Sequence, residues 1–453
     1  MSLNRNVFYS FIIQVPILVF NLVTSIFITR TIGADGRGIY ALAQNDVQLF
    51  GLVLSFSLNG AIVYYVAKNI IDTRRLAGIS LVFLFAGILL LLTFLAPLTW
   101  GGQDYFSYPE KDLRLFYAAY YAVSFFLNFF NTLTLAFFHG RSRFGAINGM
   151  ALFTAILNFL VFFTAYLLHS KGLISLGARE VLMLGLGTLF LNTLGWLFLY
   201  LRHIRVPPSF RFGYREHVLP LFRFVIISHL SNLVNFISYR IDLYFVDHYD
   251  PGMTHEQAGY YSLAVNIGQM FWMISIPIST VLQPYLTAED RPEKKKMFSF
   301  FSRVNIALVV AGFVPALLLA HLLFPLLYGA QFSHSVTAFY LLAPGIIATC
   351  MTKIFSTYVY SSGKVQYNLV ATIAGAGLTI VLDLLLIPVY GIEGAAVASS
   401  CAYLAVLGCT LYFFYTQTGA GRGNYYLLTG EDIRTLKQKA RSILAQLRNK
   451  KPG

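Results

Sequence analysis

The sequence has 453 residues, of which 57% are hydrophobic and 11% are charged, and its net charge is +14. A soluble chain carries about 25% charged residues, so the composition excludes an ordinary soluble globular protein and indicates a polytopic membrane protein. The sequence has no metal-ligand spacing, P-loop or nucleotide-binding glycine pattern, and its three cysteines lie in apolar runs. No cofactor or metal is therefore expected.

Apolar runs long enough to cross a bilayer, which takes about 20 residues, follow one another along the chain. The first run is longer than a signal-peptide core and no small-residue cleavage site follows it, so it is interpreted as a retained crossing. Twelve crossings are predicted, at roughly 7–28, 39–67, 76–99, 113–137, 145–168, 181–201, 218–240, 258–286, 300–324, 335–360, 366–388 and 392–416.

The basic residues distinguish the two sides of this array. Most of the 33 lysines and arginines lie in loops and tails on the side that carries both termini. The positive-inside rule therefore predicts that both termini are cytoplasmic. The same bias accounts for most of the net charge, so no nucleic-acid partner is expected.

A short repeat indicates two halves. GIYALA begins at Gly38 and GYYSLA begins at Gly259, and each opens the second crossing of a set of six. A weaker echo, HGRSRFGAIN and SSGKVQYN, aligns Gly140 with Gly363 at nearly the same offset. The predicted fold is all-α, with six-helix lobes at 1–205 and 206–420 related by a pseudo-two-fold axis along the membrane normal, and a substrate path between them.

The tail, residues 421–453, differs from the apolar chain before it. Thr429 followed by Asp432 predicts a helix start. One face is then apolar, and basic residues occupy the remainder. The apolar positions are Ile433, Leu436, Ala440, Ile443, Leu444 and Leu447. A basic amphipathic helix of this kind is predicted to lie on an anionic inner leaflet, with a solvated, frayed tail as the alternative.

Two strings resemble a known family. FITRTIGADGRGIYALA, at 27–43, resembles the first-loop signature of Wzx-type polysaccharide flippases, which belong to the multidrug/oligosaccharidyl-lipid/polysaccharide exporter superfamily. DLLLIPVYGIEGAAVA, at 383–398, resembles their junction of crossings eleven and twelve, where the family usually has Asn in place of Asp383. The resemblance covers nearly the whole chain.

This resemblance implies a flippase of the bacterial inner membrane that serves the biosynthesis of a surface polysaccharide such as O-antigen. It would move an oligosaccharide, carried on a polyprenyl diphosphate, from the cytoplasmic to the outer leaflet by alternating access. A proton or sodium gradient, or the membrane potential, would drive the cycle. The expected partners are the lipid-linked oligosaccharide, membrane lipids and a polysaccharide polymerase. A monomer is expected because one chain carries both lobes.

Cations in or beside the crossings are the candidate ligands of the diphosphate, because guanidinium and ammonium groups bind phosphate and charges inside a bilayer are costly. The sharpest candidate is Lys353, in crossing ten, with snorkelling to the interface as the alternative. Arg223, Arg30 and Arg240 lie at or near the ends of crossings, where a structural role is the alternative. Arg240 has Asp242 two residues later, a spacing that does not share one helix face.

Polar and acidic side chains complete the candidate set. Crossing seven carries a polar stripe that includes His229, Asn232 and Asn235, and a lipid-facing helix would not keep it. The side chains of this stripe either line a cavity or form hydrogen bonds to a neighbouring helix, and the sequence leaves both alternatives open. The candidates for ion coupling are three carboxylates, and for Asp46 and Asp383 the alternative is a salt bridge to Arg30 or Arg240. These carboxylates are Asp46, Asp242 and Asp383.

Three other functions compete with this interpretation. A drug or cation exporter of the same superfamily would share the lobes but would need acidic, aromatic pockets. A flippase for a lipid-linked peptidoglycan precursor usually has two further helices. A membrane polymerase, ligase or glycosyltransferase would need a large outer loop, whereas the longest one here, at 247–259, is short. The sequence therefore predicts a transporter and not an enzyme.

Overall fold

The computed structural model describes residues 3–100, 113–250, 252, 254–287, 294–417, 423–435 and 437–438, and within them it contains helices and no strand. Twelve α-helices are named here in chain order: α1 Leu3–Ser55, α2 Leu58–Lys68, α3 Thr73–Trp100, α4 Arg114–Gly140, α5 Phe144–Ser170, α6 Ala178–Leu199, α7 Leu219–His248, α8 Glu256–Met270, α9 Trp272–Thr287, α10 Lys294–Tyr328, α11 His334–Ser361 and α12 Val365–Gln417. Short helical turns lie at Tyr200–Ile204, Tyr214–Val218 and Ala330–Ser333.

Ten helical segments in the described ranges are long and apolar enough to cross a membrane. Two of them, with 43 and 51 residues, are long enough for two crossings each at about 20 residues per crossing. Each is broken by a glycine in the left-handed region, Gly33 at φ 71° and Gly391 at φ 55°, a conformation that other residues adopt at a cost. The chain is therefore a multi-pass membrane protein, with twelve crossings among the described residues, which confirms the predicted fold class.

Crossing two and crossing eight are each interrupted near their middle. Between α1 and α2, Phe56 and Ser57 have φ of 48° and 51°, which is unusual for residues other than glycine. Phe271 separates α8 from α9. The sequence predicts each crossing as one continuous run. The second crossing of each lobe is therefore divided, but at different distances from the repeated hexamer, since Phe56 is 18 residues after Gly38 and Phe271 is 12 residues after Gly259.

The two glycines that open the repeated hexamers lie against each other. A Cβ atom on Gly38 would be 1.8 Å from the carbonyl oxygen of His255, and one on Gly259 would be 2.0 Å from that of Ala34. No side chain fits at either position, so the backbones of crossings two and eight are in direct contact. The contact lies at the membrane face where the chain turns at Gly33 and Gly391, called here the turn face.

Further contacts join the lobes along crossing two. At the turn face, the His255 amide donates to the Asp35 carboxylate at 3.0 Å. Farther along, Tyr64 of α2 stacks on Phe224 of α7, with ring centroids 4.7 Å apart. Crossing two of the N-terminal lobe therefore packs on crossings eight and seven of the C-terminal lobe.

The described part of the tail docks on the C-terminal lobe. Tyr425 is fully buried among the rings of Phe298, Phe355 and Phe414. Asp432 accepts from the Thr429 amide at 2.8 Å and its own amide donates to the Thr429 hydroxyl at 3.3 Å. This reciprocal capping box confirms the predicted helix start. The rest of the predicted amphipathic helix, Leu436 and the residues from 439 onward, lies outside the described residues.

Candidate functional site

A polar cavity of about 190 Å³ lies between the lobes, beside the Gly38–Gly259 contact. Crossings two, seven and eight line it, so both lobes contribute. Its polar lining consists of Arg37, Tyr40, Gln44, Asn45, Gln48, Tyr239, Arg240, Asp242, Tyr261, Ser262 and Asn266. Two guanidinium groups from different lobes, several amides and one carboxylate therefore surround a space large enough for a small anion.

Arg37 is the buried cation of this cavity. The residue is 4% exposed and its Nη1 donates to the Thr29 hydroxyl. Its Nε has no hydrogen-bond partner among the described residues. In the part of the chain that the structure describes, no carboxylate forms an ion pair with it. Because a buried cation without a counter-charge is costly, an anionic ligand is the chemical complement of this position.

Sequence reasoning missed Arg37, which lies between the predicted crossings at 7–28 and 39–67. The available signal was its place directly before Gly38 of the repeated hexamer. Arg37 becomes a candidate site residue once the structure shows that the repeated hexamers lie at the contact between the lobes.

Arg240 is the second cation of the cavity, as far as the described residues show. Its side chain is half-buried and its carbonyl oxygen accepts from Asn45 Nδ2 at 3.0 Å. Asp242 lines the same cavity, and the charges of the two residues attract each other without an ion pair within 4 Å. Arg240 and Arg37 therefore line the same cavity. Two cations in one cavity are what the binding of an anion requires.

Lys353 lies close to the cavity but does not line it. Its Nζ sits 4.8 Å from the centroid of the Trp272 ring, a cation–π contact. Trp272 contacts Tyr239, with centroids 5.1 Å apart, and Tyr239 lines the cavity. Two aromatic rings therefore separate Lys353 from the interlobe cavity.

The other predicted cations lie apart from this cavity. Arg30 donates through Nε to the carbonyl of Leu327 at 2.7 Å and through Nη2 to that of Leu326. These carbonyls belong to the last turn of α10, where free carbonyls and the helix dipole favour a cation. Arg223 is exposed near the start of α7 and forms no ion pair with any described residue. Arg30 thus joins the two lobes at the turn face.

The polar stripe of crossing seven meets the break in crossing two. Asn232 Nδ2 donates to the Ser57 hydroxyl at 3.0 Å, and the buried ring of His229 lies 3.5 Å from the same oxygen. Asn235 is half-buried and has no hydrogen bond to a described residue. Of the two possibilities that the sequence leaves open, His229 and Asn232 show interhelical hydrogen bonding.

Asp46 is buried in the N-terminal lobe beside tyrosines. Its two carboxylate oxygens accept from Tyr121 at 2.6 Å and from Tyr244 of the other lobe at 2.7 Å. In the described residues it forms no salt bridge to Arg30 or Arg240. The alternative of a salt bridge, which the sequence leaves open, does not form.

Asp242 and Asp383 form a pair of neighbouring buried carboxylates whose charges repel each other. Asp242 accepts from Tyr261 at 2.5 Å, from Ser399 at 2.9 Å and from the Leu243 amide at 2.8 Å. Asp383 is fully buried and both of its oxygens lack a hydrogen-bond partner among the residues that the structure describes. Such a pair needs a shared proton or a bound cation to remain buried.

Known proteins resemble this chain in sequence and in fold. The curated protein "Probable low-salt glycan biosynthesis flippase Agl15" of Haloferax volcanii is 22% identical over an alignment of 385 residues that covers 83% of this chain and 76% of that protein. An inward-facing multidrug resistance MATE family transporter of the MOP superfamily matches with a TM-score of 0.68 at 13% identity, over 89% of this chain and 95% of its own.

The lipid II flippase MurJ, in an inward closed conformation, matches with a TM-score of 0.66 at 13% identity, over 100% of this chain and 93% of its own. At these identities the two solved structures establish a shared fold. The names of these relatives describe flippases and a transporter. A sequence model of the family described as "Polysaccharide biosynthesis protein" matches residues 3–289. Because this match spans more than half of the sequence, the chain belongs to that family of polysaccharide biosynthesis proteins.

Proposed function

We propose that the chain is a flippase that moves a polyprenyl-diphosphate-linked oligosaccharide from the cytoplasmic to the outer leaflet by alternating access. The observation that carries this proposal is the pair Arg37 and Arg240, one from each lobe, facing one cavity. The family and the glycan flippase relative support the same cargo class. In this proposal the membrane is the bacterial inner membrane, both termini are cytoplasmic, and a polysaccharide polymerase receives the product.

The geometry gives the diphosphate a role in the cycle. A guanidinium group binds phosphate through two parallel hydrogen bonds, and a diphosphate offers oxygens to two such groups. Because Arg37 and Arg240 belong to different lobes, opening the Gly38–Gly259 contact would draw them apart. The bound diphosphate would therefore stabilise closure at the turn face, and opening would weaken its binding.

The proposed domains follow the sequence analysis: lobes at 1–205 and 206–420, and a tail at 421–453. The two lobes in one chain are consistent with a monomer. Lys353 would raise the positive potential beside the cavity, and Arg30 would hold the turn face closed. Arg223, His229, Asn232 and Asn235 would line the path on the other side of the cavity.

Ion coupling belongs to the same proposal. Asp242 and Asp383 would take up a proton or a sodium ion, with Tyr261 and Ser399 completing the polar shell. Asp46, held between tyrosines of both lobes, would be a second proton site. The buried, unpartnered carboxylate of Asp383 is the feature that supports this role.

Multidrug efflux is the rival that the fold itself suggests, since MATE transporters share it. A pocket for organic cations needs an excess of acid, whereas the interlobe cavity has two arginines and one aspartate. The charge of the cavity thus favours an anionic cargo.

The test is a flipping assay in sealed vesicles of fixed orientation. Polyprenyl-diphosphate oligosaccharide is supplied on one face, and its appearance on the other is measured for wild type, Arg37→Gln and Arg240→Gln. The expected loss is about tenfold or more for each, because a charged hydrogen bond contributes about 1.5–3 kcal/mol. Arg215→Gln, an exposed arginine in the described chain, is the matched control. Transport of organic cations without movement of the lipid would overturn the proposal.

A further inference from the structure

A second polar cavity, of about 220 Å³, lies inside the N-terminal lobe among α1, α4, α5 and α6. Its lining is polar yet uncharged: it contains amides, hydroxyls and aromatic rings but no acid, lysine, arginine or histidine. The polar and aromatic members are Thr24, Tyr40, Gln44, Tyr120, Ser124, Asn128, Thr154, Asn158, Phe162, Thr188 and Asn192. The diphosphate and ion sites proposed above do not account for this cavity.

The cavity adjoins the interlobe cavity. Tyr40 and Gln44 line both, and they follow Arg37 at three and seven positions along α1, on the same face of the helix. Gln44 Nε2 also donates to the Tyr120 hydroxyl at 2.9 Å. A group attached to an anion at Arg37 would therefore reach the N-terminal cavity past Tyr40.

Several polar atoms of this lining have no protein partner among the described residues. The buried Thr24 hydroxyl makes no hydrogen bond, and Asn158 makes none either. The Asn192 side-chain oxygen lies 2.9 Å from the Thr154 hydroxyl, which also has the Met150 carbonyl as an acceptor at 2.8 Å, and the Asn192 side chain has no other hydrogen bond to a described residue. Lipid tails cannot satisfy such groups inside a bilayer, so the cavity must hold water or a hydroxylated ligand.

The chemistry of the lining selects between ligand classes. A diphosphate needs cations and an organic cation needs acids, and neither is present. Amides and hydroxyls bind sugar hydroxyls, and the rings of Tyr40 and Phe162 offer apolar faces to a sugar ring. The cavity volume of about 220 Å³ corresponds to about seven water molecules at ~30 Å³ each. This is enough room for one sugar ring.

From these observations we infer that the N-terminal cavity binds the first uncharged sugar of the cargo, next to the diphosphate at Arg37 and Arg240. This inference rests on the proposed function. It deepens that function by assigning sugar recognition to α4, α5 and α6, which do not line the interlobe cavity.

The experiment compares the binding of matched lipids to the full-length protein in nanodiscs. One lipid is bare polyprenyl diphosphate, and the others carry one glucose, galactose or N-acetylglucosamine. Wild type is expected to bind at least one sugar-bearing lipid about tenfold more tightly than the bare lipid, the effect of one or two hydrogen bonds. In Asn158→Leu/Asn192→Leu this preference should disappear while bare-lipid affinity stays within twofold of wild type.

Asn131→Leu is the matched control, because Asn131 is a buried, unpartnered amide of the same lobe that lines neither cavity. If the double variant fails to fold, Asn158→Leu alone serves, since Asn158 has no hydrogen bond to lose. An unchanged preference, an equal fall for bare and sugar-bearing lipids, or no preference in wild type would each overturn the sugar site. Failure of wild type to bind bare polyprenyl diphosphate would instead refute the proposed function itself.

Discussion

The contact between Gly38 and Gly259 predicts that one added methyl group will open the turn face. In Gly259→Ala the new Cβ would lie 2.0 Å from the Ala34 carbonyl oxygen, whereas ordinary contact begins at 3.4 Å. Crossings two and eight must therefore separate by about 1.4 Å, because the obstructing atom is backbone and cannot rotate away. Overpacking of this kind costs about 1–3 kcal/mol, which shifts the closed-to-open ratio about 5- to 150-fold.

The assay is thiol labelling at Ser262→Cys, in a background whose three native cysteines are alanine. Ser262 is buried and lines the interlobe cavity just beyond the contact. A membrane-impermeant maleimide supplied at the turn face should label it about 5- to 150-fold faster when Gly259→Ala is added, because the labelling rate follows the open population.

Gly51→Ala is the matched control for this experiment. Gly51 lies in α1, as Gly38 does, but a Cβ there would meet nothing within 4 Å. Alanine in a helix is about 0.5–1 kcal/mol more favourable than glycine, so this variant should fold well and label as slowly as its parent. Equal labelling rates in Gly259→Ala and Gly51→Ala would refute the backbone contact and the closure assigned to it.

Three further predictions concern single side chains. The Arg303 guanidinium lowers the pKa of Asp432 to about 2. The stability that this pair gives to tail docking is therefore complete above about pH 4 and is lost toward pH 2. At neutral pH, Asp432→Asn should speed hydrogen exchange of the backbone amides in 423–435. Asp383→Asn should fold, since it removes an unpartnered carboxylate, but its flipping rate should no longer respond to imposed proton or sodium gradients. Lys353→Met should weaken binding of bare polyprenyl diphosphate less than Arg37→Gln does, because Trp272 separates Lys353 from the cavity.

The crossings were predictable because each is an apolar run bounded by polar residues. The glycine turns were predictable as well, since Gly33 and Gly391 lie in short strings between such runs. The breaks inside crossings two and eight were not, because no proline or glycine occupies Phe56, Ser57 or Phe271. The break at Phe56 and Ser57 packs on Phe222, His229 and Asn232 of the other lobe. Phe271 packs on Phe313 of its own lobe, and hydropathy carries no signal of either contact.

The candidate site was predictable only in part, because burial depends on which helix faces which. Arg37 and Arg30 both flank the same turn in the sequence. The fold buries Arg37 in a cavity and places Arg30 on the carbonyls of α10. The tyrosine partners of Asp46 come from crossings four and seven, and no sequence pattern near Asp46 specifies them.

Asp242 belongs to two sites at once, and this suggests how ion and cargo would be coupled. It lines the interlobe cavity, where it attracts Arg240, and it neighbours Asp383. A proton or sodium ion taken up by the carboxylate pair would cancel negative charge at the cavity wall. The two arginines would then bind an anion more tightly, and by linkage the anion would raise the affinity for the ion by the same factor.

The expected result is that bare polyprenyl diphosphate binds wild type more tightly as protons or sodium ions are added, by about 5- to 150-fold at saturation. Asp242→Asn imitates the neutralised carboxylate, so it should bind the lipid tightly without added ions and show no further increase. Asp72→Asn, at an exposed loop carboxylate, should keep the wild-type response. A titration in which Asp242→Asn responds to ions as wild type does would place the coupling ion elsewhere, and Asp46, between tyrosines of both lobes, would then be the carboxylate to test.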